Sequence, residues 1–260
     1  MQQKPDISAI LEARKFDHTK PIPADLIYFS ILHDITPPAI IGTAGNFVSI
    51  TGLPKAGKTT FISAMISSFI AQRPIFTFQL HTHENKNRIC VFDTEQSPYD
   101  FQRTIKYIKR HTGLSDERIF QNLDCFLTRG DESITNLKMI HQYLKKNENT
   151  GIVIIDGILD LIDNMNDEIE SKKLIRLLKK WSRDFNCLFI TILHQGKKDL
   201  SSIGHIGSAS DRYAQSTLVI EKSKEGTLLC KPKFLRSSAD FDEIEIKFSN
   251  ESKSYFQIKP

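Results

Sequence analysis

The stretch Gly52-Leu53-Pro54-Lys55-Ala56-Gly57-Lys58-Thr59 places the residue types needed to hold a polyphosphate at the spacing G-x-x-x-x-G-K-T. Glycines at 52 and 57 let the backbone approach closely enough for consecutive amide N–H groups to face a β-phosphate. Lys58 supplies positive charge for β- and γ-oxygens, and the Thr59 hydroxyl supplies an oxygen for a magnesium ion. Lys55 either touches a γ-phosphate or remains solvated. Gly52, Pro54, Lys55, Ala56, Gly57, Lys58, Thr59 and Thr60 together form the candidate nucleotide-binding segment. It follows the apolar run FVSIT at 47–51 and opens the helical run KTTFISAMISSFIAQ at 58–72. That strand, loop and helix order is what the mechanism requires, because the helix N-terminus adds partial positive charge at the same spot.

Acids at the ends of apolar strands supply the second set of candidates, since ligands of open parallel sheets lie beyond the carboxyl ends of the strands. GIVIID puts Asp156 after four apolar residues, where a carboxylate reaches magnesium through water. RICVFDTEQS ends in Asp93 and Glu95, which either cap the following helix or, for Glu95, orient and deprotonate an attacking water. CLFITIL is followed by His194 and Gln195, a polar pair able to sense a γ-phosphate by hydrogen bonding. The loop beyond, KKDLSSIGHIGSASDR at 197–212, is polar and glycine-punctuated and is expected to be mobile, with Lys197, Lys198 and His205 on it.

These groups need a scaffold that brings several strand ends together. Strand-like runs at 47–51, 88–93, 124–128, 151–156 and 187–193 alternate with helical runs at 58–72, 99–111, 132–146 and 167–184. Several strands are apolar nearly throughout, as in a parallel sheet covered on both faces. The expected fold is therefore α/β, a doubly wound and mainly parallel sheet. After Tyr213 only strand patterns remain, predicting an antiparallel extension at one edge. Residues 1–45 carry five prolines and read as an N-terminal arm with one short helix at 8–15, ahead of one large α/β domain at 46–260.

Bulk properties narrow the class. The 260 residues suit one large domain, and 40% hydrophobic with 25% charged residues exclude disordered and collagen-like chains. Lys and Arg exceed Asp and Glu by 35 to 31, which permits local nucleic-acid contact without announcing it. The sequence has no apolar run of membrane-spanning length and no signal-peptide core, so a cytoplasmic location without membrane contact is expected. Cys90, Cys125, Cys187 and Cys230 lack metal-pair spacing and read as buried thiols. His81, His83 and Glu84 lie in a polar stretch that reads as a turn rather than a metal site.

The segments GNFVSITGLPKAGKTTF, RICVFDTEQSP, GIVIIDG, FITILHQGKKD and IGHIGSASDRYAQSTLVIEK together resemble the RecA-like P-loop ATPases, and within them the hexameric replicative helicase group typified by RepA and DnaB. The resemblance implies ATP and magnesium as ligands, Glu95 as the catalytic carboxylate, and His194 and Gln195 as the sensor. It also implies that the segment at 197–210, with Lys197, Lys198 and His205, faces single-stranded DNA in the channel of a homo-hexameric ring. In several such ATPases a Lys and an Arg on a late strand complete the neighbouring subunit's site; Lys233 and Arg236 are the candidates, with Lys231 and Arg212 competing. The expected function is an ATP-driven motor of a plasmid or other mobile element, a ring-forming helicase or ATPase acting on single-stranded DNA. The alternative is an ATP-dependent switch or assembly protein of the same fold that separates no strands.

Overall fold

The computed structural model describes residues 6–32, 37–196 and 204–258. Strand β3 (Phe47–Gly52) ends in the phosphate loop, and its side chains alternate between two cores, Phe47 into one and Val48 and Ile50 into the other. The same alternation recurs in β7 (Thr150–Asp156) and β8 (Leu188–His194), where Ile152, Ile154, Leu188 and Ile190 face one side and Val153, Ile155 and Phe189 the other. Period-two alternation of large apolar residues on both faces buries these strands throughout, save for His194 at the end of β8, as a doubly wound sheet demands. With β5 (Arg88–Asp93), β6 (Leu123–Leu127) and β9 (Ser216–Lys222) they form the parallel part of a nine-stranded sheet. Strands β10 (Leu228–Leu235), β11 (Ile244–Ser249) and β12 (Ser254–Gln257) extend it antiparallel beyond β9. The strand order is β12-β11-β10-β9-β3-β8-β7-β5-β6. The fold is thus the α/β, mainly parallel sheet with an antiparallel extension that the sequence pattern predicts.

Helices cover both faces. On one lie α2 (Lys58–Ala71), α3 (Pro98–Thr112) and the short α4 (Asp116–Phe120), contributing Phe61, Met65, Phe69, Ile108 and Ile119 to the first core. On the other lie α5 (Ser133–Lys146), α6 (Glu168–Asp184) and α7 (Gly204–Tyr213), contributing Ile140, Leu178 and Ile206 to the second. Helix α2 is buried along most of its length, so its serines cannot turn to water. Ser63 and Ser67 instead donate to the carbonyls of Thr59 and Ser63, four residues back.

Two stretches of chain differ from the sequence reading. The segment expected to be a loop through residue 212 is helical from Gly204, and Ile206, Gly207, Ala209 and Ser210 are buried there against its neighbours. Its glycines and serines resemble loop composition, but the small residues recur at helical spacing and let α7 pack closely on α6. The supposed arm contains, besides α1 (Ile7–Arg14), strands β1 (Ile27–Ile31) and β2 (Ala39–Thr43), which join β4 (Phe78–Leu80) in a three-stranded antiparallel sheet. The prolines exclude long helix but not these strands, and Tyr28 and Phe29 of β1 are fully buried.

Candidate functional site

The site begins as a consequence of register. Gly52 on β3 lies opposite His194 on β8, Ile192 on β8 opposite Asp156 on β7, and Asp156 opposite Asp93 on β5. The residues singled out from four separate stretches of sequence therefore end four adjacent parallel strands at the same edge. Strand β8 is inserted between the phosphate-loop strand and the Asp156 strand, so His194 stands between the loop and the acids.

Within the loop, Gly57 has φ +96°, a left-handed conformation, and a β-carbon there would lie 2.6 Å from Leu228 Cδ1. Gly52 is constrained differently: a β-carbon would lie 2.4 Å from the Ile220 carbonyl oxygen of neighbouring β9. Lys55 also takes a positive φ, 65°, at the exposed tip beside exposed Pro54. Ala56 and Thr60 are buried, while Thr59 is half-buried at the helix start.

Lys58 is buried, and its ammonium donates to the carbonyls of Gly52 at 3.0 Å and Leu53 at 3.1 Å. Its third partner is His194 Nδ1 at 3.0 Å, and His194 Nε2 lies 3.1 Å from Glu95 Oε1. An ammonium group can only donate, so Nδ1 accepts, Nε2 carries the proton of the neutral ring, and that proton is donated to Glu95. One imidazole thereby joins the phosphate-loop lysine to the strand-end glutamate.

The charges in this corner pull against one another. The hydrogen bond from His194 holds Glu95 below the ordinary carboxylate value, with the Lys58 charge helping and burial opposing. Burial pushes the Lys58 ammonium down, against the upward pull of Glu95 and Asp156. Asp156 is pushed up to about 8, first by burial and then by the nearby charges of Asp93 and Glu95, with Lys58 opposing. Glu95 is thus the carboxylate favoured as an anion, and Asp156 the one for which burial and neighbouring acids outweigh the Lys58 charge.

Asp93 is spent on structure. Its Oδ1 accepts the amide N–H groups of Glu95 at 3.0 Å and Gln96 at 2.8 Å, and its Oδ2 accepts from the Gln96 side chain. Neither acid caps the following helix, because Ser97 is the N-cap of α3 and its hydroxyl accepts the Asp100 amide; Asp93 holds the turn before it, and Glu95 is the one left facing His194. Thr94, Gln96 and Gly157 also belong to this corner and escape a sequence reading that stops at the acids. The glycine immediately after Asp156, in GIVIIDG, is the one signal that could have pointed to them.

Other candidates lie elsewhere. The carboxamide of Gln195 donates to Thr51 Oγ1 at 3.2 Å, and its amide donates to the Gly52 carbonyl at 3.1 Å, so it is tied to the strand beneath the phosphate loop. Arg236 follows β10, whose last pair, Leu235 with Ser216, marks the end of β9 remote from the loop. Its exposed guanidinium donates to the Arg212 carbonyl. Lys233 is paired with Asp211 at 2.8 Å, and Lys231 with Glu221 and Glu243. The structure therefore does not bring Arg236, Lys233 or Lys231 into the corner formed by Lys58, His194 and Glu95. His205 is exposed on the first turn of α7, while Lys197 and Lys198 lie outside the described residues. His81 bonds to Ser30 and His83 to the Ile27 carbonyl, contacts that hold the small sheet together. All four cysteines are free. Among the described residues no helix is long and apolar enough to cross a membrane.

No curated protein matches the chain. A protein-family model described as an AAA domain, AAA_25, matches residues 38–199, more than half of the chain, and spans the phosphate loop, Glu95, Asp156 and His194. By that match and by the strand-end geometry that accompanies it, the chain belongs to the AAA_25 family of AAA domains and is a RecA-like P-loop ATPase.

Proposed function

We propose that the chain hydrolyses ATP with Glu95 as general base and works as a ring-forming motor on single-stranded DNA. The observation that carries the hydrolytic part is the contact of His194 with both Lys58 and Glu95. A side chain that touches both the phosphate-binding cation and the base can report the state of the γ-phosphate to the segment that follows it. In this reading the Glu95 carboxylate takes a proton from water as the water oxygen bonds to the γ-phosphorus. The bond from that phosphorus to the bridging oxygen breaks, and ADP leaves with the electron pair. Lys58 balances the charge on the phosphate oxygens, and its ammonium already lies beside the loop's own carbonyls.

A P-loop ATPase domain implies nucleotide-bound magnesium, and the residues present fit it. Thr59 and Asp156 offer hard oxygen donors, and Asp156 is a buried carboxylate beside two further acids, a local surplus of negative charge that a divalent cation relieves. When bound, magnesium neutralises phosphate oxygens and polarises the γ-phosphoryl group.

The ring and the DNA rest on the resemblance to the hexameric helicase group, supported by Arg236, which sits far from its own loop and is available to a neighbour. The competing reading, an ATP-dependent switch or assembly protein that separates no strands, draws on α7. Residues 204–213 are a packed helix rather than a channel loop, which leaves fewer residues to face a strand. ATP turnover of the parent and of Glu95→Gln, each with and without single-stranded DNA and alongside solution mass, tests the proposal. The expected outcome is retained ATP binding with turnover reduced by about 10² to 10⁴ in the variant, and DNA stimulation of an assembled parent. Parental turnover in Glu95→Gln overturns the assignment of the base, and an active monomer indifferent to DNA favours the switch.

A further inference from the structure

Glu95 is the first residue past Thr94 at the end of β5, and the β5–β7 ladder ends at the pair Asp93 and Asp156. Beyond that pair the sheet itself no longer holds the chain, yet a general base must stay within about 3 Å of the proton it takes. Thr94 supplies the missing restraint. Its amide donates to the Asp156 carbonyl at 3.0 Å, and its hydroxyl is shared between the carbonyls of Asp156 and Gly157, 3.1 Å from each. The side chain is 3% exposed, so water does not compete for that hydroxyl. Gly157 makes room for it: with φ +102° and no β-carbon, it leaves free a point that lies 2.1 Å from Thr94 Oγ1 and 3.0 Å from Glu95 Cγ. On the other side, Asp93 holds the amides of Glu95 and Gln96.

From this geometry we infer that Thr94 is a positioning residue for the proposed hydrolysis, its hydroxyl fixing Glu95 relative to the strand end that bears Asp156. The inference rests on Glu95 being the base. The hydrogen bonds of the Thr94 amide and hydroxyl go to the Asp156 and Gly157 carbonyls and none to the phosphate loop, so it acts by pinning the peptide from which Glu95 extends to the two peptides around Asp156. An error of about 1 Å in such a placement costs on the order of 10² in rate. The phosphate-loop contacts, made from β3 by Lys58 and the loop amides, involve no hydrogen bond to Thr94, so nucleotide affinity depends on it far less.

The experiment compares Thr94→Val, which keeps the shape and removes the hydroxyl, with Thr94→Ser, which keeps the hydroxyl. In the full chain, Thr94→Val is expected to lower kcat by about 10- to 100-fold while ATP affinity, read with a fluorescent ATP analogue, stays within about 2-fold. Thr94→Ser is expected to restore kcat to within about 3-fold of the parent, since the shared hydrogen bond is kept. In a Glu95→Gln background, Thr94→Val should lower the residual rate by much less than in the parent, because the group it positions is already disabled. Parental kcat in Thr94→Val, or an equal loss with and without Glu95, overturns the inference. If Glu95→Gln itself retains parental turnover, both the base assignment and this inference fail; if it loses turnover while Thr94→Val does not, the inference alone fails. Should Thr94→Val not fold, Thr94→Ala against Thr94→Ser gives the same comparison.

Discussion

The hydroxyl of Thr94 fills the space that a β-carbon on Gly157 would need, 2.1 Å from where that carbon would stand. Gly157→Ala is therefore expected to meet both a steric overlap and an unfavourable positive φ, at a cost of about 2–4 kcal/mol in stability. Urea unfolding of the variant measures it, and an unchanged midpoint would show that the strand ends separate freely.

Removing the charge of Lys58 should abolish nucleotide binding, because no other described lysine or arginine touches His194 or the Gly52 carbonyl. Lys58→Ala is expected to lose ATP affinity by at least about 2 kcal/mol, the scale of a charge-assisted hydrogen bond that goes unreplaced. Calorimetric titration with ATP and magnesium reads this directly. Unaltered affinity would mean that phosphate is held elsewhere.

Arg236 lies at the end of the sheet remote from its own Gly52, so any contribution it makes to hydrolysis must come from a neighbour. Arg236→Ala subunits and Lys58→Ala subunits, each expected to be inactive alone, should recover part of the turnover when mixed, since some interfaces then pair an intact loop with an intact arginine. A gain of about 10³ from such an arginine sets the scale of the loss in the single variant. Parental turnover by Arg236→Ala under assembling conditions would pass the role to Lys233 or Arg212.

Changing Lys197 and Lys198 together to Ala is expected to weaken single-stranded DNA binding and flatten its salt dependence by about one unit of slope per lost phosphate contact, with basal ATP turnover retained. Fluorescence anisotropy over a series of salt concentrations checks it. An unaltered slope would place the DNA, if bound at all, away from this segment.

His111 packs edge-on against Phe76, and burial, then Arg73 and Arg110, lowers its pKa to about 4. In the unfolded chain it titrates near 6.5, so between pH 6.5 and 4 the unfolded state binds more protons. Stability contributed by the neutral ring is then complete above about 6.5 and is lost as pH falls towards 4. Relative to the parent, His111→Gln should lose less stability over that interval, by about 2 kcal/mol once partial exposure is allowed for. Parallel curves of unfolding free energy against pH would rule this out.

Much of this molecule is written locally. The phosphate loop needs glycine, lysine and threonine at set intervals, and the parallel strands need unbroken apolar runs, so β3, β5, β7 and β8 and their strand-end residues could be read one segment at a time. The helices α2, α3, α5 and α6 follow from the same short-range periodicity. What the sequence could not show depends on partners far along the chain. Strands β1, β2 and β4 are short, and their pairing with one another, not their composition, makes them strands. Helix α7 is made of residues that suit a loop equally well until α6 offers a surface that accepts small side chains. The roles of the acids that follow β5 were decided only by the fold, in which Ser97 rather than either acid caps α3, Asp93 holds the turn before it, and Glu95 faces His194, 99 positions away in sequence. Arg236 needed the antiparallel register of β10 on β9 before its distance from the phosphate loop could be known. Local propensity reports what a segment can become, while hydrogen-bond partners and packing neighbours, supplied only by the folded sheet, decide which of those possibilities is used.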